Sequence, residues 1–120
     1  MTQEDKELLL KDLNTRLPYG VKIELTWWVM GEGIGINTTL EPDHIEQLLN
    51  DEDGDTEIKP YLRPMSSMTD EEKEEYCQLQ QKVVNEYVTK YINYCYKKHL
   101  DINNLINMGL AIDATNLNLY

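Results

Sequence analysis

Val21, Ile23, Leu25 and Trp27 alternate with Lys22, Glu24, Thr26 and Trp28, the period of two expected of a strand that buries one face. Such a strand needs neighbours in a sheet and a layer to cover its apolar side. Gly31, Gly33 and Gly35 interrupt the alternation, and Ile34, Ile36 and Thr38 resume it, so a hairpin is predicted. The chain has 120 residues, 41% hydrophobic and 28% charged, which suits one hydrophobic core and one folded domain.

The cover is predicted to be helical. Thr2 with Asp5 resembles a capping box, and Leu8, Leu9, Leu13 and Leu17 form a stripe, which predicts a helix over 3–16 stopped by Pro18 and Gly20. Pro42, Ile45, Leu48 and Leu49 suit a short helix, although a strand running into Asp53-Gly54 fits nearly as well. Glu57, Ile58 and Lys59 predict a brief strand before Pro60 and Pro64. Thr69 and Glu72 form a second capping box. Leu79, Val83, Tyr87, Tyr91 and Cys95 follow at spacing four, up to Lys97, Lys98 and His99, which predicts one helix of about seven or eight turns. A short helix from Asp101 to Met108, ended by Gly109, is expected next, then an extended Leu110 to Ile112 and a tail that docks as an edge strand or stays free. The expected fold class is α+β: an N-terminal helix over 1–17, a small antiparallel sheet within 21–59, and a helical half over 69–120, its long C-terminal helix and a short one packed on the sheet.

Asp and Glu number 22 against 11 Lys and Arg, a net charge of −11. The excess is local, since Glu41, Asp43, Glu46, Asp51, Glu52, Asp53, Asp55 and Glu57 occur without an intervening Lys or Arg. Direct nucleic-acid binding, which rests on basic side chains neutralising phosphates, is disfavoured. A basic partner is favoured, because an acidic patch speeds encounter with one. No apolar run approaches the roughly 18 to 20 residues that cross a bilayer, and Met1 to Asp5 lacks a basic flank, so a cytoplasmic protein without membrane contact is expected. Cys77 and Cys95 would lie roughly 27 Å apart on a continuous helix, too far for a disulfide and consistent with reduced thiols.

Asp51, Asp53 and Asp55 have the alternate spacing that opens a calcium loop, but Gly54 is fourth rather than sixth, and Leu62 stands where the bidentate acid belongs. A solvated turn or a partner-facing patch accounts for them better. Gly31, Gly33 and Gly35 suit a twisted hairpin more than a dinucleotide loop, because Ile36 replaces the third glycine of that pattern and strand residues follow. His44 and His99 lack companions at zinc-ligand spacing, and neither cysteine has a visible base. The sequence thus implies no catalytic residue, metal site or cofactor. Trp27 and Trp28 point to opposite faces of one strand. Either the N-terminal helix covers the far side or one ring is left for a partner. Tyr87 and Tyr91 are expected in the core, and Tyr94, Tyr96 and Tyr120 on the surface.

The run Lys59-Pro60-Tyr61-Leu62-Arg63-Pro64-Met65-Ser66-Ser67-Met68-Thr69, the acidic helix start after it, and Gly109-Leu110-Ala111-Ile112-Asp113-Ala114 resemble short uncharacterised proteins of gut anaerobic bacteria and their prophages. The resemblance implies an origin in a mobile element and carries no activity. The functional expectation is a non-enzymatic interaction protein that presents Trp28, Glu41, Asp43, Asp51, Glu52, Asp53 and Asp55 to a basic host protein, as a nucleic-acid mimic or inhibitor. The alternatives are a ligand-sequestering or hydrolytic protein with a pocket lined by tyrosine and tryptophan, and a structural subunit that forms a homodimer through the long helix.

Overall fold

The computed structural model describes residues 2–51, 54–81 and 85–120, with the side chains of 80–89 and 91 outside the description. Helix α1 spans Gln3–Arg16, its Thr2 hydroxyl accepting from the Asp5 amide at 3.1 Å. Leu9 and Leu13 face inward. A tight turn over Leu17–Tyr19 ends at Gly20, whose φ of 68° lies in the left-handed region, and the chain enters β1, Lys22–Val29. Met30 and Gly31 turn it at φ of 52° and 83°, the pair of positive values that a two-residue type I′ hairpin turn requires. Strand β2, Glu32–Thr39, then pairs antiparallel with β1, Val29 opposite Glu32 and Lys22 opposite Thr39.

Helix α2, Pro42–Leu49, carries the chain from β2 across to β3, Thr56–Leu62. Strand β3 lies on the other side of β1 and is also antiparallel to it. The short β4, Ile112–Asp113, joins β3 in parallel, so the sheet order is β2-β1-β3-β4. Leu9 and Leu13 of α1 and Ile45 and Leu48 of α2 pack with Ile23, Leu25, Ile58 and Leu62 of the sheet, and Leu105 and Leu110 close the core. On the opposite face the Tyr61 hydroxyl donates to Asn37 at 2.8 Å, and Lys22 Nζ bonds Thr39 at 2.7 Å.

The C-terminal half departs from the sequence expectation. In place of one long C-terminal helix there are α3, Asp70–Gln81, and α4, Asn85–Lys97, and among the described residues the longest helix is the N-terminal α1. Arg63 explains the arrangement. Its guanidinium donates to both Glu72 carboxylate oxygens, at 2.6 and 3.0 Å, and to the Lys98 carbonyl at 3.3 Å. One side chain therefore holds the start of α3 beside the end of α4, which a single helix would place roughly 39 Å apart. Tyr94 of α4 accordingly lies against Glu75 and Glu72 of α3, and burial together with these carboxylates pushes its phenol up to about 12. The long helix on which a homodimer seam was expected is thus two helices. The calculated separation of the thiols no longer holds, yet both remain free, Cys77 exposed and Cys95 buried.

The short helix expected over 101–108 is a series of turns. The Asp101 carboxylate caps them by accepting from the amides of Leu105 at 2.8 Å and Ile106 at 2.9 Å, while Asn104 at φ 61° is left-handed and cannot continue a helix. Tyr96 is buried rather than on the surface. The expectation that Tyr87 and Tyr91 are core falls on side chains outside the description. The tail docks. Tyr120 stacks on His99 at 3.7 Å, and its hydroxyl accepts from the Lys22 amide at 2.7 Å while donating to the Tyr61 carbonyl at 2.8 Å.

Candidate partner-binding surface

Pro42 pre-sets the first turn of α2, where its missing N–H costs nothing. His44 secures that end by accepting from the Glu41 amide at Nδ1, 2.9 Å away. With Ile45 and Leu48 turned into the core, Asp43 and Glu46 stand outward in solvent. The helix is therefore a rigid mount for carboxylates, and Glu41 is exposed at its N-cap.

Asp51 has a different task. Its two carboxylate oxygens accept from the amides of Asp55 and Thr56, both at 3.1 Å, and Lys6 Nζ bonds its carbonyl at 3.2 Å. It builds the entry to β3. The Asp55 carbonyl accepts from the Trp28 amide at 3.1 Å, so the acidic turn and the exposed tryptophan come together. Glu41 and Asp43 lie elsewhere, past the far end of β2 from Trp28. Glu52 and Asp53, also expected in the site, lie outside the described residues.

Among the described residues the ion pairs are Asp12–Arg16, Glu57–Lys59 and Glu72–Arg63. Glu57 is thus neutralised locally, whereas Glu41, Asp43, Glu46 and Asp55 form no ion pair with a lysine or arginine among the described residues. The absence is rooted in the sequence, since residues 23–58 contain ten acids and no lysine or arginine. Lys22 is the lysine or arginine that β1, β2 and α2 carry, and from α1 Lys6 reaches the segment at the Asp51 carbonyl.

The N-terminal helix packs on the Trp27 side of β1, and the Trp28 side stays open. Trp27 is half-buried against the core, and Trp28 is 50% exposed on the other face, its ring lying across the strand over Gly33. A Cβ at position 33 would stand 2.8 Å from Trp28 Cζ3, so this glycine is what admits the ring. Sequence reasoning missed the surface beyond Trp28. Val29, Ile34 and Ile36 share the core-side face of the hairpin but extend past the helices, and all are exposed, Ile34 by 44% and Ile36 by 45%. Their alternation was visible, but their exposure depends on how far α1 and α2 reach along the sheet.

A cleft of about 580 Å³ opens between the start of α1, the end of α2 and β3, with Asp5, Lys6, Asp51 and Lys59 among its walls. Among the described residues that line it there is no tyrosine or tryptophan. Among the described residues no three His, Cys, Asp or Glu side chains are grouped to hold a metal ion, and no helix is long and apolar enough to cross a membrane. No protein-family model, curated protein or solved structure matches the chain.

Proposed function

We propose that this chain is a non-enzymatic interaction protein that engages a basic protein surface through the carboxylates of α2 and the turn after it, with Trp28 alongside Asp55. The observation that carries the reading is the set of exposed carboxylates, Asp43 and Glu46 above all, mounted on an ordered helix without a basic partner among the described residues. A fixed array of unneutralised charge draws an oppositely charged partner and orients it, more than it adds raw affinity. An origin in a phage or other mobile element rests on the sequence resemblance alone and would make the partner a host protein in the cytoplasm.

The variant that tests this is Asp43→Asn, Glu46→Gln and Asp55→Asn together. Asp51 is left intact because its carboxylate holds two amides of the turn. Capture from bacterial lysate at low and at high salt should recover a basic protein with the native chain at low salt. Recovery should fall steeply at high salt and with the triple variant, as screening between exposed charges demands. Recovery indifferent to both changes would overturn the reading.

A further inference from the structure

Strand β2 ends the sheet, and the ladder shows which of its backbone groups are unused. In an antiparallel pair closed by a two-residue turn, hydrogen-bonded and non-hydrogen-bonded pairs alternate from the turn outward. Val29 and Glu32 form the first bonded pair, so Gly33, Gly35, Asn37 and Thr39 belong to non-bonded pairs and aim their N–H and C=O groups away from β1. Two hydrogen bonds confirm the phase: the Trp28 amide, opposite Gly33, turns the other way to Asp55, and the Leu40 amide returns to the Val21 carbonyl at 2.9 Å.

Open edges of this kind are usually blunted by lysine, proline, a bulge or short length. Strand β2 has none of these. It is eight residues long, regular in register, and carries no charge between Gly33 and Thr39. Two of its four outward positions are glycines, leaving the backbone open to approach. Ile34 and Ile36 offer an apolar face to alternate side chains of an added strand. Acids bracket the strand, Glu32 at one end and Glu41 and Asp43 at the other. The net charge of −11 sets a second copy against the first, and the same charges favour a basic occupant.

We propose that the edge of β2 receives an extended segment of a basic partner protein, added as a fifth strand, with aliphatic residues over Ile34 and Ile36 and lysine or arginine at both ends. The proposal rests on the interaction reading above and specifies where and how the partner binds. Main-chain hydrogen bonds to Gly33, Gly35 and Asn37 supply the pairing, and the flanking charges select the segment.

The probe is a synthetic peptide, Val-Thr-Val-Thr-Val flanked on each side by Lys-Arg, titrated into the full chain while amide hydrogen exchange is followed by NMR. Exchange at Gly33, Gly35 and Asn37 should slow with binding. Affinity should drop about tenfold or more when alternate peptide nitrogens are methylated, because each methyl removes a main-chain donor of the pairing. Gly35→Pro should weaken binding similarly, since it removes an outward amide and leaves the β1 ladder whole. Binding unaffected by methylation and by Gly35→Pro would overturn strand addition while sparing the acidic-surface reading. Equal protection by a peptide with Glu-Asp flanks would keep the edge and overturn the choice of a basic partner. Protection that grows with the concentration of the chain alone, with a dimer in light scattering, would assign the edge to a second copy and overturn the proposal.

Discussion

His99 shows how local chemistry is set by neighbours far away in sequence. His99 is held at φ 60° beneath Tyr120, and burial, with the nearby Arg16 and Arg63 cations, lowers its imidazole to about 4. The neutral form is therefore favoured on folding. The unfolded chain takes up the proton near pH 6.5 and the folded chain only near 4, so the stabilising contribution is complete above 6.5 and is lost as pH falls from there to about 4. Urea denaturation across this range should show that decline, and His99→Asn, a residue that tolerates positive φ, should flatten it. Glu72, lowered to about 2 chiefly by its hydrogen bond to Arg63, acts in a more acid window, its contribution lost as pH falls from 4.5 through about 2. Met30, in the turn between β1 and β2, is fully exposed at a φ of 52° where its side chain gains nothing. Met30→Asn suits the turn and should raise stability by about 0.5–1 kcal/mol, read from the urea midpoint at unchanged slope.

At the scale of elements, α3 and α4 are the sharpest test. Spin labels at Asp70→Cys and Lys97→Cys, in a chain with Cys77→Ser, should report a separation on the order of 10–20 Å, as for neighbouring helices. A single helix would give roughly 40 Å. The sequence could not distinguish these, because apolar residues at spacing four along Leu79 to Cys95 suit one helix or two packed together equally well. The deciding group is Arg63, outside both helices, whose bonds to Glu72 and the Lys98 carbonyl are long-range. Local signals fared better. The Thr69–Glu72 box forms reciprocally, with bonds of 3.0 and 3.2 Å, and the alternation from Val21 to Trp27 is the strand it resembles. The acidic segment was legible as charge, and Asp43 stands exposed as that reading needs. Asp51 was not legible as a turn cap, since its amide partners depend on the path into β3, and the free edge of β2 depends on strand order, which no local pattern encodes.

For the whole molecule, charge and shape act together. The principal extents are 52 × 30 × 23 Å, and the ten acids of residues 23–58 fall on one stretch that holds no lysine or arginine. The bases lie elsewhere, some of them committed: Arg16 is buried with Asp12, Arg63 pairs with Glu72, and Lys59 pairs with Glu57. Folding therefore fixes Glu41, Asp43, Glu46 and Asp55 without an ion-pair partner among the described residues, and self-repulsion among them opposes the folded state. Added salt should relieve it, because exposed charges more than about 8–10 Å apart are largely screened at physiological ionic strength. The urea midpoint of the native chain should rise with sodium chloride, while Asp43→Asn, Glu46→Gln and Asp55→Asn together should start higher at low salt and rise less. The same substitutions are expected to weaken partner capture, so one set of residues would lower stability and confer binding. A triple variant no more stable than the native chain at low salt would mean that these carboxylates are already balanced, and the field invoked to attract a basic partner would be missing at its source.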